Sequence, residues 1–152
     1  MTFSEAVNTC LREKYATFKG RAPRSEYWWF FVFYMLVLLV PMLLLVLIGG
    51  GMSMMDPTTG QGGLNIIGTI LMVVMGIAML AMIIPSIAVV VRRFHDRNMS
   101  GWWYLGLIVA GFIPFVGILA SLAILVLMCL KGTDGPNNFG PDPLKGDADV
   151  FA

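Results

Sequence analysis

The residues able to do chemistry in this chain are concentrated in one stretch, Arg92-Arg93-Phe94-His95-Asp96-Arg97-Asn98-Met99-Ser100-Gly101-Trp102-Trp103, which joins two long apolar runs. An imidazole that titrates near neutrality, beside a carboxylate able to orient it, is raw material for general acid–base catalysis or a metal site. Adjacent helical positions point apart, however, and His95 is the single histidine. No Cys or Glu cluster lies near it in sequence, and no serine–base pair has recognisable spacing, so a metal centre or a nucleophilic triad would need distant partners. The expectation is no catalytic residue, no metal and no cofactor, and a protein that is not an enzyme. Cys10 and Cys129 have the spacing of neither a disulfide framework nor a metal site and read as small apolar residues.

The second chemistry is electrostatic. Arg21, Arg24, Glu26, Arg92, Arg93, His95, Asp96 and Arg97 form a candidate structural or lipid-headgroup cluster. Basic residues at a membrane surface contribute about 1 kcal/mol each toward anionic lipids. The alternative is local pairing, Glu26 or Asp96 with Arg92 or Arg93. Either use requires the elbow at Arg21–Glu26 and the turn at Arg92–Arg97 to sit on one side of a membrane.

Composition supplies the membrane: 58% of the chain is hydrophobic and 12% charged, far from a soluble globule. The net charge of +1 gives no basis for nucleic-acid binding. No cleavable signal is visible, because apolar character begins only near Tyr27. Residues 3–19 read as an amphipathic interfacial helix, with Phe3, Val7, Cys10, Leu11 and Phe18 on one side, a capping box from Thr2 and Glu5, and a stop at Gly20. Pro23 can begin the next helix, and Tyr27-Trp28-Trp29-Phe30-Phe31 marks the interface where a first span, about 27–48, starts. A second span covers about 64–91, and Pro41 and Pro85 are tolerated within these spans as kinks.

The loop 49–63 between them carries no Lys or Arg, whereas Arg12, Lys14, Lys19, Arg21 and Arg24 precede the first span and Arg92, Arg93 and Arg97 follow the second. By the positive-inside rule the loop is outside and both basic segments are cytoplasmic. Residues 102–130 are too few for two full crossings, each of which takes about 20 residues. One long kinked third span with the tail outside is favoured over a re-entrant hairpin turning near Pro114. On that span Gly106, Ala110, Pro114, Gly117 and Ser121 recur by threes and fours, a stripe for close helix packing. The tail from Lys131 is dense in turn formers, and Phe139 could anchor it. The whole is expected to be an all-α integral membrane protein with three transmembrane helices, one domain over 1–144 and a flexible end at 145–152.

Three motifs stand in series: Gly20-Arg21-Ala22-Pro23-Arg24-Ser25-Glu26-Tyr27-Trp28-Trp29, the central stretch, and Gly132-Thr133-Asp134-Gly135-Pro136-Asn137-Asn138-Phe139-Gly140-Pro141-Asp142-Pro143. With these spacers the chain resembles the small bacterial inner-membrane family catalogued as domain-of-unknown-function 805. Phe94 stands where leucine is common in that family. The resemblance implies an inner-membrane address and a shared fold, and it transfers no catalytic residue; the multi-pass course and cytoplasmic amino terminus are expected from the charge pattern. The expected role is a structural, scaffold or adaptor protein. A homo-oligomeric channel or transporter component is the alternative, and a lipid-modifying enzyme ranks below both. Expected partners are membrane lipids and a membrane protein or a second copy, with no nucleic acid.

Overall fold

A computed structural model describes residues 1–50 and 66–145, the side chains of 48–50 excepted. Among the described residues every regular element is helical: α1 (Phe3–Asn8) runs into a π-helical turn (Thr9–Glu13), α2 (Arg24–Leu44) into another (Leu45–Gly50), and α3 (Ile66–Asp96), α4 (Trp102–Gly111) and α5 (Val116–Cys129) follow. The expected outer loop lies almost wholly outside the described residues, as does the end beyond Lys145. The chain divides into two compact units, one of residues 1–30 with 84–152 and one of Phe31–Ile83.

The Phe31–Ile83 unit holds most of α2 and the first half of α3. Leu39, Leu43, Leu47, Ile66, Ile70, Val73, Ile77 and Leu80 are all exposed, and an apolar surface of that extent needs an apolar surrounding. By length and composition, α2 with its continuation to Leu47 and α3 qualify as membrane-crossing helices.

The other unit contains the polar residues that organise the molecule. Thr2 and Glu5 form the expected capping box, with Glu5 Oε2 accepting from the Thr2 N–H at 2.9 Å. The amphipathic helix is shorter than the expected 3–19. It turns π-helical at Thr9 and ends at Glu13, its inner face made by Ala6, Thr9 and Cys10. Gly20 takes the left-handed backbone, φ +85°, and Ala22 N–H then bonds the Arg92 carbonyl at 3.0 Å.

The charges do not end α3, as the sequence pattern suggests; the helix continues through Arg92 and Arg93 to Asp96. It closes at Asn98, φ +56°, where Asn98 N–H bonds the His95 carbonyl and Met99 N–H the Phe94 carbonyl. This is a left-handed asparagine cap of Schellman type. Gly101 then lies so close to Val91 that a Cβ would stand 2.7 Å from Cγ1.

The single kinked span over 102–130 is corrected to a helical hairpin. α4 finishes in short-range bonds, Phe112 N–H to Val109 and Ile113 N–H to Ala110. Pro114 has no N–H to continue the ladder, and Phe115 is left-handed at φ +64°. α5 then returns, and the carbonyls of Cys129, Leu130 and Lys131 meet Arg24, Arg93 and Arg97 at the end of α3. Both ends of the segment are therefore fixed at the same place.

The packing stripe is corrected for the same reason, since its residues lie on two helices. Gly106 has open space around it, Ala110 is half-buried, and Ser121 Oγ bonds its own helix at Gly117 O, 2.8 Å. Only Gly117 is tight: a Cβ there would meet Gly111 O at 2.5 Å, backbone against backbone across the hairpin turn. Gly117→Ala is expected to lower the thermal midpoint in detergent, the overpacking costing about 1–3 kcal/mol, whereas Gly106→Ala leaves it unchanged or raised. Equal tolerance of both in a melting scan would contradict the tight turn.

Candidate functional site

Glu26 and Asp96 are the centres of a buried ionic clasp. Glu26, one turn into α2, pairs through Oε1 with Arg92 Nη1, and both side chains are almost wholly enclosed. Arg92 Nε reaches back to the Ala88 carbonyl at 3.3 Å. The Cys10 Sγ lies 3.8 Å from Glu26 Oε1 and 3.9 Å from Arg92 Nη2, which places the π-helical turn after α1 against the pair.

Asp96 carries two arginines. Its Oδ1 accepts from Arg21 Nε at 2.9 Å, with Nη2 at 2.8 Å, and its Oδ2 accepts from Arg93 Nη1. Burial removes both ions from water, so such pairs persist only where further hydrogen bonds satisfy the remaining protons. Here carbonyls do so: Arg21 Nη1 donates to Gly135 O at 2.6 Å and Nη2 to Thr133 O, while Arg93 Nη1 also approaches Ala22 O at 3.4 Å and Nη2 donates to Leu130 O. Arg93 Nε and Arg97 Nε are enclosed donors left without a partner.

Two helix ends cap each other through these groups. The C-terminus of α5, with its unsatisfied carbonyls and negative dipole end, receives three guanidinium groups: Arg24 at Cys129 O (3.2 Å), Arg93 at Leu130 O and Arg97 at Lys131 O. The C-terminus of α3 is capped by the tail. Thr133 N–H and Oγ1 donate to Asp96 O at 2.8 and 2.9 Å, and Asn137 Nδ2 donates to His95 O at 2.8 Å. Gly132 fits only because it lacks a side chain, a Cβ there coming within 2.0 Å of Asp96 Oδ2. Asp142 folds the tail by accepting from the N–H groups of Leu144 and Gly135, which together hold its carboxyl below the ordinary range.

Thus Arg21, Arg24, Glu26, Arg92, Arg93, Asp96 and Arg97 come together. The headgroup reading is corrected for Arg21, Arg92 and Arg93, which are buried and turned inward; a phosphate has no access to them. Arg24 is exposed and Arg97 half-buried at the edge. His95 diverges from Asp96, as neighbours on a helix do. Its Nδ1 bonds the Gly20 carbonyl at 3.1 Å, and its ring stacks on Phe139 with centroids 4.1 Å apart and planes 4° from parallel.

The sequence reading missed Cys10, Gly132, Thr133 and Asn137. The only signal for the last three was their position in a turn-rich tail, and nothing in Cys10's spacing pointed to Glu26. Burial, then the Glu26 carboxylate, pushes the Cys10 thiol up to about 12. Purified protein treated with N-ethylmaleimide at pH 8 is therefore expected to label at exposed Cys129 and stay unmodified at buried Cys10 until unfolded. Equal rates by peptide mass spectrometry would show the thiol open to solvent.

A family model described as protein of unknown function, DUF805, matches residues 15–141. The inner membrane protein YhaH of Escherichia coli strain K12 is 36% identical over 134 residues, covering 86% of this chain and 90% of its own length. The inner membrane protein YhaI of the same strain is 32% identical over 138 residues, covering 88% and 92%. No solved structure matches.

Proposed function

The chain belongs to the DUF805 family, and from that premise we propose that it is an architectural protein of the bacterial inner membrane, a scaffold or adaptor and not an enzyme. The single observation that carries this is the fate of the charges. Both buried carboxylates face arginines, and further guanidinium N–H groups of Arg21 and Arg93 go to backbone carbonyls. Such a cluster spends its chemistry holding the amino-terminal arm, α3, the hairpin and the tail together.

In the proposed arrangement α2 and α3 cross the bilayer, with the amino terminus, the central turn and the tail cytoplasmic. α4 and α5, of 10 and 14 residues, are about 15 and 21 Å long. Both are shorter than the roughly 30 Å core, so they enter from the cytoplasmic face and return. The exposed Phe112, Ile113 and Phe115 at the hairpin tip then lie within lipid, where their burial is favourable. The relatives' description as inner membrane proteins supports the address.

Single cysteines at Thr58, Asn98 and Asp142, in a background lacking Cys10 and Cys129, test the topology in intact cells. An impermeant thiol reagent is expected to label position 58 and spare 98 and 142. Labelling at 142 without 98 would reinstate a third crossing. For the role itself, affinity purification from native membranes should bring down one membrane protein at fixed stoichiometry, and liposomes holding the pure protein should pass no ions. Ion flux with no fixed partner would instead support the homo-oligomeric channel.

A further inference from the structure

We infer that the groove between the end of α3 and α4 is a binding site for one acyl chain of a neutral glycerolipid with a free hydroxyl. A pocket of about 520 Å³ opens there, within the roughly 300–1,000 Å³ of small-molecule sites. Its lining is graded. Ile87, Val91 and His95 follow one another along α3 at intervals of four, Tyr104, Leu105 and Ile108 of α4 line the same space, and Ser100 of the intervening turn joins them. Along α3 the lining therefore passes from the aliphatic Ile87 and Val91 to the imidazole of His95. From Ile87 to His95 the groove extends about 12 Å, a length suited to a chain and unsuited to a compact polar solute.

The polar end fixes the class of headgroup. Gly20 O can only accept, so His95 Nδ1 carries the proton of that 3.1 Å bond. Phe139 covers one ring face. The remaining nitrogen, Nε2, is an acceptor in the neutral ring and asks for a donor such as a lipid hydroxyl. A phosphate is disfavoured, because no Lys or Arg lines the pocket and the nearby guanidinium groups face Asp96, Glu26 and carbonyl oxygens.

The proposal uses the membrane placement above only for the source of the ligand, so binding is tested in detergent, where topology does not enter. The full chain in dodecyl maltoside is irradiated with 1-oleoylglycerol carrying a diazirine in its chain, and adducts are mapped by peptide mass spectrometry. Saturable labelling is expected around Ile87, Val91, Leu105 and Ile108. Capping both glycerol hydroxyls as methyl ethers should weaken it about fivefold, the worth of one hydrogen bond. Unlabelled 1-oleoylglycerol and dioleoylglycerol both carry the hydroxyl, and the stronger competitor identifies the bound lipid. Leu105→Trp should fill the groove and abolish the saturable fraction, and Ile108→Phe gives the same readout should that variant misfold. His95→Phe keeps the ring stack and should erase the preference for the free hydroxyl. Unsaturable labelling spread equally onto Leu122 and Leu125 of α5, equal capture of the capped probe, or wild-type labelling in the filled variants would overturn the site.

Discussion

Asp96→Asn is expected to destabilise the protein more than any other single change of charge. The carboxylate is buried and, among the described residues, is the one counter-charge paired with both Arg21 and Arg93. The amide keeps the size of the side chain and one acceptor, but it leaves two enclosed guanidinium groups unneutralised and turns an N–H₂ toward one of them. Removing one partner of a buried pair costs about 3–5 kcal/mol, a large share of a typical total. Asp134→Asn is the control. Its pair with Lys131 is exposed on both sides, and such pairs contribute about 0–1 kcal/mol. Thermal unfolding in detergent, followed by tryptophan fluorescence, should separate the two variants by many degrees; similar midpoints would mean that the cluster is solvated and the clasp is not structural. Arg93→Lys should fall between wild type and Arg93→Ala, because an ammonium keeps the charge but cannot reach Asp96, Ala22 O and Leu130 O together. His95→Gln should be milder than either.

Why the clasp was half legible follows from what periodicity can and cannot encode. Apolar runs long enough to cross a bilayer place α2 and α3, and Lys and Arg bias pairs the elbow at Arg21 with the turn at Arg92. That is enough to bring Glu26 and Asp96 toward Arg92 and Arg93. The same reading puts the end of the second span at Val91, where charge begins, because a charged residue normally marks water. Here Arg92 and Arg93 stay helical and buried, and beyond the local Asp96 that depends on Glu26, Ala22 and Leu130, all distant in sequence. The single kinked third span failed for a related reason. Gly111, Pro114 and Gly117 are equally compatible with a kink and with a reversal, and the decision lies in carbonyls at 129–131 meeting arginines from the start of α2 and the end of α3. The small-residue stripe presumed one continuous helix and lost its meaning once the helix turned back. Long-range capping leaves no local signature, so Thr133 and Asn137 looked like ordinary turn residues.

Gly132→Ala is expected to open the clasp from the opposite side, without changing any charge. The Cβ would stand 2.0 Å from Asp96 Oδ2, 2.6 Å from Cγ and 2.8 Å from Oδ1, so the methyl group must occupy the space of the carboxylate itself. Neither neighbour can yield freely. Asp96 is held by two arginines, and the backbone after Gly132 is tied to the same residue through Thr133. Overpacking alone costs about 1–3 kcal/mol, and displacing the carboxylate adds part of the buried-pair loss. The variant should therefore approach Asp96→Asn in melting temperature. Because both changes act on one interaction, the double variant should be less destabilised than the sum of the singles. Gly135→Ala separates sterics from backbone strain. Gly135 has open space around it but φ +74°, so its alanine costs about 1–2 kcal/mol from the left-handed conformation, and its coupling to Asp96→Asn, which runs only through the Arg21 they share, should be smaller than that of Gly132→Ala. Additive behaviour of Gly132→Ala with Asp96→Asn would place Gly132 outside the clasp.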